Sequence, residues 1–175
     1  MAEVDLYIPG EASYAVFAAG CFWGVQHEMD KTQGVIRTFC GYEAASDADD
    51  LDLPPTYEQV KAHKRLYIES VLVEYDPAVV SYEDLCKVFF EIHDPSQTDG
   101  IGPDIGPQYR SVIYYRDSAQ ETTAHAVADL LRSLGHSVAT QILPERRFWI
   151  AEPYHQDYYD RTGGTPYCHI REKKF

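Results

Sequence analysis

The apolar positions of this chain fall in short runs whose spacing switches between strand and helix periods. Tyr14 to Ala19 is a continuous apolar run of strand length, as expected of a buried strand. From Phe22 to Gln33 the pattern becomes helical, with Phe22, Val25 and Met29 on one face and Gly34 as the stop signal. Val35 to Tyr42 is β-branched and aromatic and reads as a second strand, followed by an acidic loop from Glu43 to Leu53 and the Pro54-Pro55 pair. Tyr67 to Tyr75 alternates well enough for a third strand, closed by Asp76-Pro77. Ser81 is a good N-cap, and the helix it opens carries Leu85, Val88, Phe89 and Ile92 at i, i+3, i+4 and i+7. A Gly/Pro-rich loop from Asp94 to Pro107 leads into a strand from Tyr109 to Arg116.

That order of strand, helix, strand, strand, helix, strand predicts an α+β fold with a ferredoxin-like split βαβ core, an antiparallel sheet with helices on one face. Ser118 to Leu134 adds a helix ended by Gly135, with Ala124, Val127, Ala128 and Leu131 facing inward. Val138 to Leu143 and Phe148 to Ala151 read as shorter strands, and a brief helix around His155 to Arg161 comes last. No internal repeat or low-complexity linker divides the chain, so residues 1–175 are expected to form a single domain.

Charge narrows the function classes. With 28 acidic against 15 basic residues the net charge is -13, which opposes nucleic acid and anionic membrane surfaces. The first five residues, Met1 to Asp5, lack the basic and apolar regions of a secretory signal, and no apolar stretch is long enough to span a bilayer. A cytoplasmic protein is expected. The four cysteines Cys21, Cys40, Cys86 and Cys168 form no C-x-x-C pair and no metal-type spacing with histidine, so no metal site is expected. The dispersed histidines, His93 included, read as structural.

Gly20-Cys21-Phe22-Trp23-Gly24 carries the chemistry. It sets a thiol at the seam of strand and helix, where unsatisfied N–H groups and the positive end of the helix dipole favour thiolate. Phe22 and Trp23 bring two aromatic faces beside that sulfur, suited to a small apolar or sulfur-bearing group. A buried structural cysteine is the alternative, since free cysteine is among the most buried residue types. Glu69 is the second oddity, an acid within a strand that otherwise supplies core residues. It is either a solvated outer-face residue or a carboxyl kept neutral by desolvation and able to give up a proton.

The pentapeptide resembles the active-site motif of the A class of peptide methionine sulfoxide reductases. The resemblance continues through Gly41-Tyr42, Pro55-Thr56-Tyr57-Glu58-Gln59-Val60, Glu69, Tyr75-Asp76-Pro77, His93-Asp94-Pro95 and the run from Asp104 to Ser111, and ends with His155-Gln156-Asp157-Tyr158. It implies an α/β roll with a long irregular C-terminal segment, and the cofactor-free reduction of methionine S-sulfoxide, in proteins or free. It assigns Cys21 as nucleophile and Glu69 as proton donor. Tyr42 and Tyr109 bind the sulfoxide oxygen, Phe22 and Trp23 hold the methyl group, and Asp104 binds the substrate backbone or an ordered water. Cys21 then becomes a sulfenic acid, which Cys168 resolves to a disulfide for thioredoxin to reduce. A monomer is expected.

Strand alternation also places Cys40 on the face of Tyr42, so Cys40 stays open as the resolving thiol. Cys86 sits one residue off its helix stripe and has no suggested role. Several positions depart from the family pattern: Glu43-Ala44-Ala45 follow Gly41-Tyr42 where many relatives have Thr-Gly-Gly, His63-Lys64-Arg65-Leu66 precede Tyr67-Ile68-Glu69, and Pro103 precedes Asp104. These leave every candidate catalytic group in place and bear on the shape of the pocket. Two rival readings remain: another cysteine enzyme such as a thiol hydrolase or acyltransferase, which needs a histidine base for Cys21, and a module that binds methionine-containing segments without turnover.

Overall fold

The computed structural model describes residues 4–44, 53–62, 66–167 and 169–175. Its first half holds β1 (Asp5–Leu6), β2 (Ser13–Ala19), α1 (Phe22–Asp30), β3 (Val35–Ala44), α2 (Tyr57–Lys61), β4 (Tyr67–Tyr75) and α3 (Tyr82–Glu91). The second half holds β5 (Gly100–Ile101), β6 (Asp104–Ile105), β7 (Ser111–Tyr115), α4 (Ser118–Ser133), β8 (Gln141–Pro144), β9 (Phe148–Ile150) and α5 (Tyr158–Thr162). Seven strands form one sheet in the order β1-β9-β3-β4-β2-β7-β8, and β5 pairs with β6 apart from it. All neighbours in the large sheet are antiparallel except β7 and β8. The sheet is therefore mixed rather than purely antiparallel, because α4 returns the chain to run beside β7 in the same direction, as a parallel pair requires.

β4 lies at the centre and is buried along its whole length. Ala15, Phe17 and Ala19 of β2, Cys40 and Tyr42 of β3 and Val71 and Val73 of β4 pack with Val25 and Met29 of α1, Leu85 and Phe89 of α3 and Val127 of α4. On the opposite side a second cluster joins Tyr14, Val16, Ile68, Leu72, Tyr114 and Phe148 with Tyr7. The period of two then decides where Glu69 points, since it shares the helix-covered face with Val71 and Val73. The outer-face alternative for Glu69 is excluded, and the residue is 3% exposed.

Element ends differ from expectation for local reasons. α1 stops at Asp30, and Thr32 N–H bonds the Met29 carbonyl in a tight turn before Gly34, whose φ is 96°. β3 runs on through Glu43 and Ala44, paired with Ile68 and Tyr67. Glu43 is consequently buried rather than in a loop, and its Oε1 accepts from the Arg146 and Arg147 N–H groups at 2.7 and 2.8 Å. The remainder of the acidic stretch, 45–52, and His63, Lys64 and Arg65 lie outside the described residues. Tyr109 ends a 3-10 turn, Pro107–Tyr109, so β7 begins at Ser111 instead. The last expected helix splits into a 3-10 turn, Pro153–His155, and α5. Ser81 caps α3 as expected, its Oγ accepting from Asp84 N–H at 3.0 Å. Beyond α5 the described chain is irregular and strapped to the end of α3, where Arg171 Nη2 and Lys174 N–H both donate to the Glu91 carboxylate at 3.0 Å. Among the described residues no helix is long and apolar enough to cross a membrane.

Candidate active site

Gly20 makes the turn that presents Cys21. Its φ is 85°, and a Cβ there would lie 2.6 Å from the Ile101 Cβ, so a side chain is excluded on two counts. Cys21 becomes the N-cap residue of α1, half-buried, at the end of the helix where the backbone N–H groups converge. One of those groups, the N–H of Phe22, donates to Glu69 Oε1 at 3.3 Å. The acid on the central strand is thereby tied to the residue next to the thiol. Burial pushes the Glu69 carboxyl up to about 8, opposed by the Phe22 hydrogen bond and reinforced by the charges of Asp104 and Glu152. At neutral pH it carries its proton.

The tyrosines divide into two groups. Tyr42 is wholly buried opposite Glu69 in the β3–β4 ladder, and its hydroxyl donates to Glu152 Oε1 at 2.9 Å. A phenol has a single hydrogen to give, so in this arrangement Tyr42 has none for a substrate oxygen. Tyr57, at the start of α2, is half-buried. Burial and then the charges of Glu69 and Cys21 push its hydroxyl up to about 12. Tyr109 is raised by burial and then by Glu69, Tyr57, Asp104 and Cys21. Tyr57 and Tyr109 thus share the electrostatic surroundings of both the thiol and the acid, whereas Tyr42, after burial, responds first to Glu152, which holds its hydroxyl, and then to Glu69. Strand alternation does not single out Tyr57. The signal available was Thr56 and Gln59, which form a reciprocal capping box and so start a short helix at Tyr57.

The aromatic wall is held from the C-terminal half of the chain. Trp23 Nε1 donates to His155 Nδ1 at 3.0 Å, and its ring stacks on Tyr158 with centroids 3.8 Å apart. Phe22 packs against Tyr42 and His155 at 5.7 and 5.0 Å. Burial pushes His155 down to about 4, so the ring is neutral and Nδ1 is able to accept the indole hydrogen. Neither His155 nor Glu152 stands out by spacing. Their place follows from long-range pairing of β9 with β3.

Cys40 is completely buried, and its single S–H hydrogen is shared between Gln26 Oε1 at 3.2 Å and the Phe22 carbonyl at 3.4 Å. Burial holds its thiol well above the ordinary range. Cys86 is buried within α3. Asp104, half-buried, accepts from the Tyr167 hydroxyl at 3.1 Å. Cys168 lies outside the described residues. Of the residues beside it, Tyr167 reaches Asp104, and the buried His169 contacts the Ala19 carbonyl through Nε2 and fills the space over Gly24.

Residues 13–175 match the family model described as peptide methionine sulfoxide reductase. A relative from Methanosarcina acetivorans named peptide methionine sulfoxide reductase MsrA is 42% identical over 159 residues, covering 89% of this chain and 82% of the relative. The reduced form of Mxr1 from Saccharomyces cerevisiae is similar in structure, with a TM-score of 0.86 at 29% identity over 97% of this chain and 96% of that one. Methionine sulfoxide reductase A of Corynebacterium diphtheriae aligns with a TM-score of 0.75 at 28% identity, over 94% of this chain and 85% of that one. Mxr1 has also been solved in complex with Trx2, a form that matches at TM-score 0.61 and 22% identity.

Proposed function

The chain belongs to the peptide methionine sulfoxide reductase family, whose MsrA members act on methionine S-sulfoxide, and on that premise we propose how this pocket performs the reduction. The Cys21 thiolate attacks the sulfoxide sulfur. The oxygen, a poor leaving group as an anion, takes the proton of Glu69 while the Tyr57 and Tyr109 hydroxyls donate to it. The protonated oxygen then passes from the methionine sulfur to the Cys21 sulfur as the bond between the two sulfurs breaks, which releases methionine and leaves Cys21 as a sulfenic acid. Phe22 and Trp23 hold the substrate methyl group, and Asp104 binds the substrate backbone once Tyr167 has moved from it. Inverting the sulfur would exchange methyl and oxygen between an apolar wall and a polar one, which is the basis for epimer selection.

A second thiol then attacks the sulfenic sulfur, forming a disulfide and releasing water. Burial of Cys40, with its hydrogen engaged by Gln26 and Phe22, favours Cys168 for this role, and so does the attachment of Tyr167 and His169 around the Cys21 loop. A thioredoxin dithiol reduces the disulfide and restores Cys21, a reading supported by the complex of the related Mxr1 with Trx2. We read the domain as extending over residues 1–175, with β3-β4-β2-β7 as its ferredoxin-like core, and as acting as a cytoplasmic monomer without a bound cofactor.

The observation that carries this reading is the bond from Phe22 N–H to a buried, protonated Glu69, which brings an acid to the residue beside the nucleophile. Incubation with each epimer of methionine sulfoxide and dithiothreitol, followed by assay of methionine, tests it. Reduction of the S epimer alone is expected. Equal reduction of both would remove the assigned pocket walls, and no reduction of either would leave only a binding role.

A further inference from the structure

Among the described residues, Glu152 is the one buried acid at this site that takes no part in the proposed reduction. It is 6% exposed and lies just past β9, at the entrance to the Pro153–His155 turn. The backbone that bears it is clamped to β3: Ala151 N–H donates to the Cys40 carbonyl at 2.8 Å. Gln156 Nε2 reaches the carbonyls of Cys40 and Ala151 at 2.9 and 3.1 Å. From that fixed base the carboxylate accepts three donors. Oε1 takes the Tyr42 hydroxyl at 2.9 Å, and Oε2 takes the Tyr57 N–H at 3.2 Å and the Tyr154 hydroxyl at 3.4 Å.

We propose that Glu152 is a positioning residue for sulfoxide reduction: it anchors the backbone of Tyr57 so that this hydroxyl faces the substrate oxygen, and it sets a negative charge behind Glu69. The proposal rests on the roles given above to Tyr57 and Glu69. α2 has five residues, too few for a helix to hold itself in place, so its first N–H needs an anchor on the sheet side. Ionised acceptors make the stronger hydrogen bonds, and a carboxylate has room for all three donors. The groups that face Glu69 are Cys21 and the Phe22 N–H from α1, Cys40 and Tyr42 from β3, and Tyr57 from α2. Asp104 faces it from β6, Tyr109 from the 3-10 turn before β7, and Glu152 from the segment after β9. Of these, the Asp104 and Glu152 carboxylates each oppose loss of the Glu69 proton.

The test is single-turnover reduction of methionine S-sulfoxide from pH 6 to 9.5 by Glu152→Gln and Glu152→Asp, with thermal unfolding to confirm the fold. Glu152→Gln should slow methionine release by about tenfold or more, toward the ~100-fold that an ångström of misplacement can cost. Its rate should also begin to fall at lower pH than in wild type, because Glu69 loses an anionic neighbour. Glu152→Asp keeps the charge but shortens the arm, so its rate should drop while the alkaline limb stays in place. Wild-type rates in both variants, or a slower Gln variant with an unmoved limb, would overturn the proposal. Glu69→Gln reads the underlying assignment separately. If that variant releases methionine at wild-type speed, Glu69 is not the proton donor, whatever Glu152 does.

Discussion

Replacing Glu69 by Gln should make the protein more stable as pH rises while making it a poor enzyme. In the unfolded chain the carboxyl ionises at an ordinary 4.5, whereas burial in β4 holds it to about 8 in the fold. Between those values the folded state binds one more proton than the unfolded state, so wild-type stability falls with pH. The slope is about 1.4 kcal/mol per pH unit, and over the whole interval the loss reaches about 5 kcal/mol. Sign and window follow directly: the contribution is neutral below 4.5, grows more unfavourable through neutrality, and levels off above about 8. A Gln at the same place does not titrate, and its carbonyl oxygen is able to accept from Phe22 N–H as Glu69 does. The stability difference between variant and wild type should therefore widen in favour of the variant by about 3 kcal/mol between pH 4.5 and 7. Glu43, also held at about 8 by burial, titrates in both proteins and cancels from the difference. Urea unfolding of the reduced proteins at half-unit steps from pH 4.5 to 8.5 measures this, and single-turnover reduction should fall about 10²- to 10⁴-fold in the same variant. A stability difference that stays constant with pH, or that widens in favour of wild type, would refute the neutral, desolvated acid.

Cys21→Ser should abolish methionine release at every pH, measured with either epimer and dithiothreitol. Cys168→Ser should still release one equivalent of methionine per enzyme yet fail to turn over with thioredoxin, and mass spectrometry of the oxidised wild type should show a Cys21–Cys168 link. A dominant Cys21–Cys40 link would instead move the resolving role to the buried thiol. Gly41→Ala should cost about 1–3 kcal/mol in urea unfolding, because an added Cβ meets the Phe148 ring and the Trp149 carbonyl where β9 lies against β3.

The sequence makes the central strands and the α1 and α3 helices legible because each carries a clean local signal: an apolar run before Gly20, an N-cap at Ser81, a stop at Gly34. The parallel placing of β8 is not legible, since strand direction depends on where α4 delivers the chain. Glu43 shows the limit of composition. Four acidic residues follow it within the next nine and suggest a loop, yet backbone N–H groups of Arg146 and Arg147, a hundred residues on, make it a buried strand residue. At the site, Cys21 and Glu69 stand out by position, one at a strand-to-helix seam and one among core residues, but position left a structural reading open for each and only the family resemblance chose between them. The engagement of the Tyr42 hydroxyl and the Tyr57 N–H by Glu152 is not legible, because no local pattern brings that carboxylate to either of them.

Tyr42 and Glu69 are direct partners across the β3–β4 ladder, while Tyr57 arrives on a five-residue helix. Buried strands at the centre of a sheet open only with the whole domain, whereas short helices open alone, so the amides of β4 should exchange with solvent long after those of α2. Hydrogen exchange that reached β4 as early as α2 would show instead that the short helix and the central strand open as one unit.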